Sequence, residues 1–138
     1  MNTETERLQL QLIGGTETIL LVDDEESLRL VVTDFLAGPL GYNLLSAGSA
    51  EEALKLAESY PGTIDLLLTD VLLPGISGSE LAGKLRSKDP KLKILYMSGY
   101  PDHTLESYGV SGSNFMLLQK PFTIKSLAAK LREILDKH

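Results

Sequence analysis

From Thr18 onward the chain alternates short, continuous apolar runs with segments whose apolar residues recur every three or four positions. Runs of the first kind suit strands buried on both faces, and the second kind suits helices laying one stripe on a sheet. The pattern therefore predicts βα units around an open parallel sheet. The five strands are "TILLVD" (18–23), "YNLLSA" (42–47), "TIDLLLTD" (63–70), "LKILYMSG" (92–99) and "NFMLLQK" (114–120). The segment "ESLRLVVTDFLAG" places Leu28, Val31, Val32, Phe35 and Leu36 on one helical stripe and stops at Gly38-Pro39. A second helix is expected over 50–60, with Ser49 and Glu52 at capping-box spacing. A third covers 78–88 and ends at Asp89-Pro90, and a short one is expected over 102–108. Thr123 caps the last, whose stripe is Ile124, Leu127, Ala128, Leu131, Ile134 and Leu135. Residues 1–16, which end near the Gly14-Gly15 breaker, read as a linker or fraying extension, leaving 17–138 as one domain.

Composition narrows the class. A chain of 138 residues suits one domain with a single core, and 43% hydrophobic against 23% charged residues excludes a largely disordered chain. With no cysteine and only two histidines, His103 and His138, disulfides, thiolate zinc sites and a histidine-rich metal centre drop out. His103 itself has no ligand-type neighbour and reads as a loop or first-turn residue. A formal charge of -6 disfavours direct nucleic-acid binding, which needs a basic patch. No apolar run approaches the roughly 20 residues that span a bilayer, and the acidic start "MNTETERLQL" is unlike a signal peptide. A cytoplasmic domain is the expectation.

The chemistry lies at the strand ends. Four of the five apolar runs are followed by a distinctive polar side chain: Asp23-Asp24, Asp70, Ser98 and Lys120. In an open parallel sheet, ligand sites form outside the carboxyl ends of the strands, so these positions converge on one edge. Taken singly, each has a plain structural reading: a helix cap for Asp23 or Asp24, an Asx turn for Asp70 before Pro74-Gly75, turn chemistry for Ser98 and a solvated lysine at 120. Taken together, three acids at one edge repel unless a cation intervenes, and hard oxygen donors with room for water suit Mg²⁺. Lys120 and Ser98 suit phosphoryl oxygens, and Asp70 is then a nucleophile forming an acyl phosphate.

"LLVDDEE", "LLLTDVLLPGISG", "YMSGY" and "LQKPF", in this order, resemble the four motifs of response regulator receiver domains of two-component signalling. The wording "MSGYPD…LQKPFT…SLAAKLREILD" is most similar to receivers attached to hybrid sensor histidine kinases. The resemblance implies a doubly wound, flavodoxin-like (βα)5 fold with strand order 2-1-3-4-5. It implies that Asp70 accepts a phosphoryl group from a histidine kinase or histidine phosphotransfer protein. Asp24 and Asp70 would bind Mg²⁺ directly, Asp23 through water, and the Leu72 backbone carbonyl would complete the ligands. Ser98 would be the switch hydroxyl, Lys120 the phosphate contact, and the Lys120-Pro121 bond cis. The exposed rim of the last helix, or of that over 102–108, would serve a homodimer or kinase contact.

One position departs from the motif: Leu117 stands where the family usually carries an aromatic switch residue, with Phe115 a substitute two residues earlier. Bulky Leu72 and Tyr100, at positions that modulate loss of the phosphoryl group, imply a long-lived phosphoform. Two enzyme or ligand-binding alternatives fit less well. A Mg²⁺-dependent phosphohydrolase would carry an acid at position 72, and a nucleotide-binding module would carry a glycine-rich turn where the chain has "VDDEES". A phosphorylation-independent pseudo-receiver that only docks proteins is the remaining alternative.

Overall fold

The computed structural model describes residues 13–99 and 116–137. The first strand, β1 (Thr18–Val22), is buried at every position, which is possible only with helices on both of its faces. It is followed by α1 (Glu26–Ala37), β2 (Asn43–Ala47), α2 (Ala50–Ser59), β3 (Leu66–Asp70) and α3 (Gly78–Lys88). Then come β4 (Lys93–Ser98), β5 (Met116–Gln119) and α4 (Ile124–Leu135). The five strands form one sheet in the order β2-β1-β3-β4-β5, and every neighbouring pair is parallel. This is the doubly wound, flavodoxin-like arrangement expected from the sequence. The helix expected over 102–108 lies outside the described residues, as do His103, Tyr100 and Phe115.

Strand alternation divides the core in two. Ile19, Leu21, Leu66, Leu68, Leu95, Met97 and Leu118 point to one face and pack under α1 and α4 through Val32, Leu36, Leu127, Ala128 and Leu131. Leu20, Val22, Leu67, Ile94 and Tyr96 point to the other and meet α2 and α3 through Ala53, Leu81, Ala82 and Leu85. Each such leucine or isoleucine contributes roughly 1.5–3 kcal/mol by leaving water, so the continuous apolar runs are the main reason the sheet holds.

Two details of the helices differ from the sequence reading. On α1 the stripe is narrower than expected: Val32 and Leu36 are buried and Leu28 packs beside them, but Val31 is 55% exposed, next to Leu30 at 58%. The spacing 28, 32, 36 faces the sheet, and Val31, one residue from Val32, is turned by about 100° away from it. At the start of α2, Ser49 Oγ accepts from Glu52 N at 3.2 Å, but Glu52 Oε2 accepts from Gly48 N at 3.1 Å rather than from Ser49. A reciprocal capping box occurs instead on α4, where Thr123 and Ser126 each accept from the other's backbone N–H.

At the edge opposite the strand ends of interest, Gly14 and Gly15 pack against the turn before β2. Gly15 N donates to Leu40 O at 3.0 Å, and a Cβ on Gly14 would come within 1.9 Å of the same oxygen. Arg132 on α4 clasps this corner by donating to Glu17 Oε1 at 2.9 Å, Tyr42 Oη at 3.4 Å and the Asp136 carboxylate. Burial raises the Glu17 carboxyl, but the Arg132 guanidinium and the backbone N–H groups of Glu17 and Thr16 together more than offset this and leave it below its ordinary range. A carboxyl lowered on folding adds stability above its unfolded pKa of about 4.3 and loses it as pH falls through the folded value. Glu17→Gln is therefore expected to lower stability at neutral pH by about 0.5–1 kcal/mol. In urea unfolding series the gap to the parent protein should close as the pH falls below the ordinary carboxylate range.

Candidate functional site

The chain steps from β1 outward to β2, then returns to the other side of β1 to build β3. At such a switch point the two outgoing loops diverge and open a crevice at the carboxyl ends of the strands. The register pairs Val22 with Thr69, so the residues one step further, Asp23 and Asp70, emerge side by side. Ser98 closes β4 and Lys120 directly follows β5, on the same edge.

The structure brings Asp23, Asp24 and Asp70 together, with one carboxylate oxygen of each within 4.8 Å of the other two. Lys120 Nζ lies between two of them and donates to Asp23 Oδ2 at 2.8 Å and Asp70 Oδ2 at 2.9 Å. Asp23 is fully buried, Asp70 half-buried and Asp24 exposed. The remaining oxygens are taken locally: Asp23 Oδ1 accepts from Glu25 N at 2.8 Å, and Asp70 Oδ1 from Leu72 N at 3.2 Å. Neither Asp23 nor Asp24 is the N-cap of α1, which is Glu25 without a side-chain bond, so Asp23 Oδ2 and the Asp24 carboxylate are left to the cluster. Ser98 is buried, and its carbonyl accepts from Lys120 N at 2.7 Å, tying the β4 and β5 ends together. The Lys120-Pro121 peptide is cis. Leu117 is partly buried beside Tyr96, its registered neighbour, on the α2/α3 face.

The electrostatics follow from burial against pairing. Loss of water pushes the Asp70 carboxyl up, and the Lys120 ammonium and the Leu72 N–H pull it back only in part, so it stays above the ordinary aspartate value. Burial pulls Lys120 down, but its hydrogen bonds to Asp23 and Asp70 outweigh this and hold it above an ordinary lysine. The lysine is therefore charged at neutral pH. Three carboxylates against one ammonium leave a formal excess of two negative charges in a space of a few ångströms. An all-oxygen donor set with that excess is chemically matched to a hard divalent cation such as Mg²⁺. A more apolar recess, lined by Leu54, Ala57, Ile64, Leu85 and Leu92, lies at the opposite end of the sheet and contains none of these groups.

Two supporting residues escaped the sequence reading. Gly78 starts α3 and donates its N–H to Val71 O at 2.8 Å, and a Cβ there would fall 2.2 Å from Asp70 O. Only glycine lets α3 begin directly over the end of β3. The signal was a glycine at the first position of a helix, where better helix formers are available. The second is Arg29, whose Nη1 donates to the Asp23 carbonyl at 2.7 Å. It sat on the helix pattern as an ordinary polar position. Pro74-Gly75, by contrast, bends the chain where its sequence suggested, with Gly75 at φ +88°, in the left-handed region that favours glycine.

A doubly wound α/β domain with a lysine-bridged acidic crevice at its topological switch point defines a class, and the comparisons agree with it. The chain belongs to the response regulator receiver domain family, which it matches over residues 19–132. It is 34% identical over 125 residues to the sensor kinase CckA of Brucella abortus, covering 91% of this chain and 13% of that protein. It is 35% identical over 122 residues to the transcriptional activator protein ExaE of Pseudomonas putida, covering 87% of this chain and 56% of the relative. The chain thus spans only part of these relatives. Among solved structures, the receiver domain of the hybrid histidine kinase CckA superposes with a TM-score of 0.71 at 37% identity, covering 86% of this chain and 98% of that one. The response regulator protein TrrA of Thermotoga maritima, in complex with Mg²⁺ and BeF, superposes with a TM-score of 0.69 at 32% identity, covering 86% and 98%. This chain is a receiver domain of two-component systems, similar to those of hybrid kinases. Among the described residues, no helix is long and apolar enough to cross a membrane.

The close approach at Gly78 generates a test. Gly78→Ala forces the α3 start away from Asp70 and is expected to lower stability by about 1–3 kcal/mol, as overpacking does. Urea denaturation measures this, and an unchanged midpoint would contradict the geometry.

Proposed function

We propose that Asp70 is the phosphoacceptor of this domain and that Asp23, Asp24, Asp70 and the Leu72 carbonyl hold Mg²⁺. The observation that carries this reading is the Lys120 ammonium bridging Asp23 and Asp70 beside a third carboxylate. Mg²⁺, when bound there, supplies the positive charge that offsets the phosphoryl oxygens. The partner is a protein phosphohistidine, on a histidine kinase or a histidine phosphotransfer protein. A carboxylate oxygen of Asp70 attacks phosphorus in line; the new O–P bond forms as the N–P bond to the histidine breaks, and the imidazole leaves with the electron pair.

The chain's own residues do the rest. The ionised Asp70 is the attacking form, and Lys120 keeps that form available against the effect of burial. Lys120 and Ser98 then meet the new phosphoryl oxygens, drawing the β4 and β5 ends inward, an electrostatic event that biases the loops between two arrangements. Leu72, an apolar residue two positions after Asp70, offers no general base to an attacking water, so the phosphoform should be long-lived. Group transfer is confined to the protein's own aspartate, and the domain is not an enzyme acting on free substrates.

Intact-protein mass spectrometry after incubation with acetyl phosphate and Mg²⁺ tests the reading. One metal-dependent phosphoryl adduct is expected in the parent protein and none in Asp70→Asn. An absent adduct in the parent, with beryllofluoride also failing to bind, would overturn it in favour of a phosphorylation-independent docking module.

A further inference from the structure

The three acids of the crevice are not held equally. Asp23 is anchored at four points. Its N–H donates to Ala47 O at 3.2 Å, its Oδ1 accepts from Glu25 N, its Oδ2 accepts from Lys120, and its carbonyl accepts from Arg29 Nη1 at 2.7 Å. Asp70 is held through its carboxylate by Lys120 and Leu72 N, and through its carbonyl by Thr69 Oγ1. The exposed Asp24 carboxylate has no hydrogen bond or ion pair among the described residues. Its place in the cluster is therefore set by its backbone, and above all by the peptide plane that joins it to Asp23. The carbonyl of that plane is the one Arg29 grips.

From this we infer that Arg29 is a positioning residue for divalent-cation binding: by fixing the Asp23 carbonyl it fixes the direction in which Asp24 leaves β1. The contact is charge-assisted and short, of the stronger kind among hydrogen bonds. The neighbouring loop is shaped to admit it. Gly48 lies against the guanidinium, and a Cβ there would come 2.8 Å from Nη1 and 3.4 Å from Cζ. Gly48 does not have a left-handed backbone, so its lack of a side chain serves space rather than conformation. The β2–α2 loop thus leaves a slot for an arginine reaching back from the first turn of α1 to the end of β1.

The sign of the effect separates positioning from simple charge. Arg29 is a cation beside a cation site, so electrostatics alone predicts that removing it tightens metal binding. Positioning predicts the reverse, since partners that orient ligands typically change metal affinity by about 10–100-fold. The inference rests on the acidic cluster being a Mg²⁺ site, and the experiment separates the two ideas.

Mg²⁺ is titrated into the full chain and followed by amide NMR, which reports both the Kd and the integrity of the fold. The parent protein, Arg29→Ala, Arg29→Lys and Gly48→Ala are compared, with urea stability measured in parallel. Arg29→Ala is expected to raise the Kd about tenfold, toward the lower end of that range, and Arg29→Lys, which can still donate to the carbonyl, to restore most of the affinity. Gly48→Ala, which displaces only the end of a flexible side chain, should raise the Kd with little change in stability. An Arg29→Ala Kd equal to or below that of the parent would overturn the inference. Should Arg29→Ala fail to fold, an unchanged Kd in Gly48→Ala would do the same. A parent protein that does not bind Mg²⁺ would instead overturn the proposed function, and this inference with it.

Discussion

The ammonium of Lys120 between Asp23 and Asp70 is the interaction on which the functional edge of this domain depends. Removing two carboxylates from water is unfavourable unless a charge replaces the lost solvation, and one partner taken from such a pair leaves an uncompensated buried charge. Asp23, fully buried, has no solvent to fall back on. The lysine therefore holds the crevice together, and because three acids exceed one ammonium it leaves charge to be met by something further. Structure and chemistry meet in that imbalance. The same groups that would destabilise an ordinary sheet edge give this one an all-oxygen donor set chemically matched to a divalent cation.

Everything around the pair serves to deliver it. The sheet is apolar on both faces because helices cover both, so its strands have no room for charge except at their ends. The reversal of strand order between β1 and β3 sets Asp23 beside Asp70, and the β4–β5 pairing brings Lys120 to the same edge through its bond to the Ser98 carbonyl. Small residues then decide how closely the loops approach. Gly78 allows α3 to start over the Asp70 carbonyl, and Gly48 leaves space for Arg29. Both are packing requirements whose consequence is the placement of a charged group.

Much of the fold was legible in the chain because its signals are local. Short apolar runs, a proline or glycine just past the ends of α1, α2 and α3, and Ser49 or Thr123 before a helix are statements about neighbouring residues. The α3 helix and the caps by Ser49 and Thr123 lie where those residues put them. The errors were also local rules meeting a tertiary fact. Val31 fits a helical stripe, but α1 turns too narrow an arc toward the sheet to cover it. Glu52 has capping-box spacing, but its carboxylate reaches the Gly48 N–H instead. Gly14-Gly15 signals a break, and the close contact with Leu40 emerges only when β1 and the turn before β2 are side by side.

The candidate site divides in the same way. Which residue types stand at the strand ends, and that they would share an edge, followed from the sequence, because a parallel sheet aligns all its carboxyl ends on one side. The tertiary structure alone decided how those residues are shared out. Lys120 bridges Asp23 and Asp70 while Asp24 is left to its backbone, and Arg29 takes the carbonyl that orients it. Such assignments depend on distances of two or three ångströms between residues up to 97 positions apart, which no spacing along the chain encodes. Sequence order determines the ends of strands, and only the packing of the finished sheet determines which side chain each end meets.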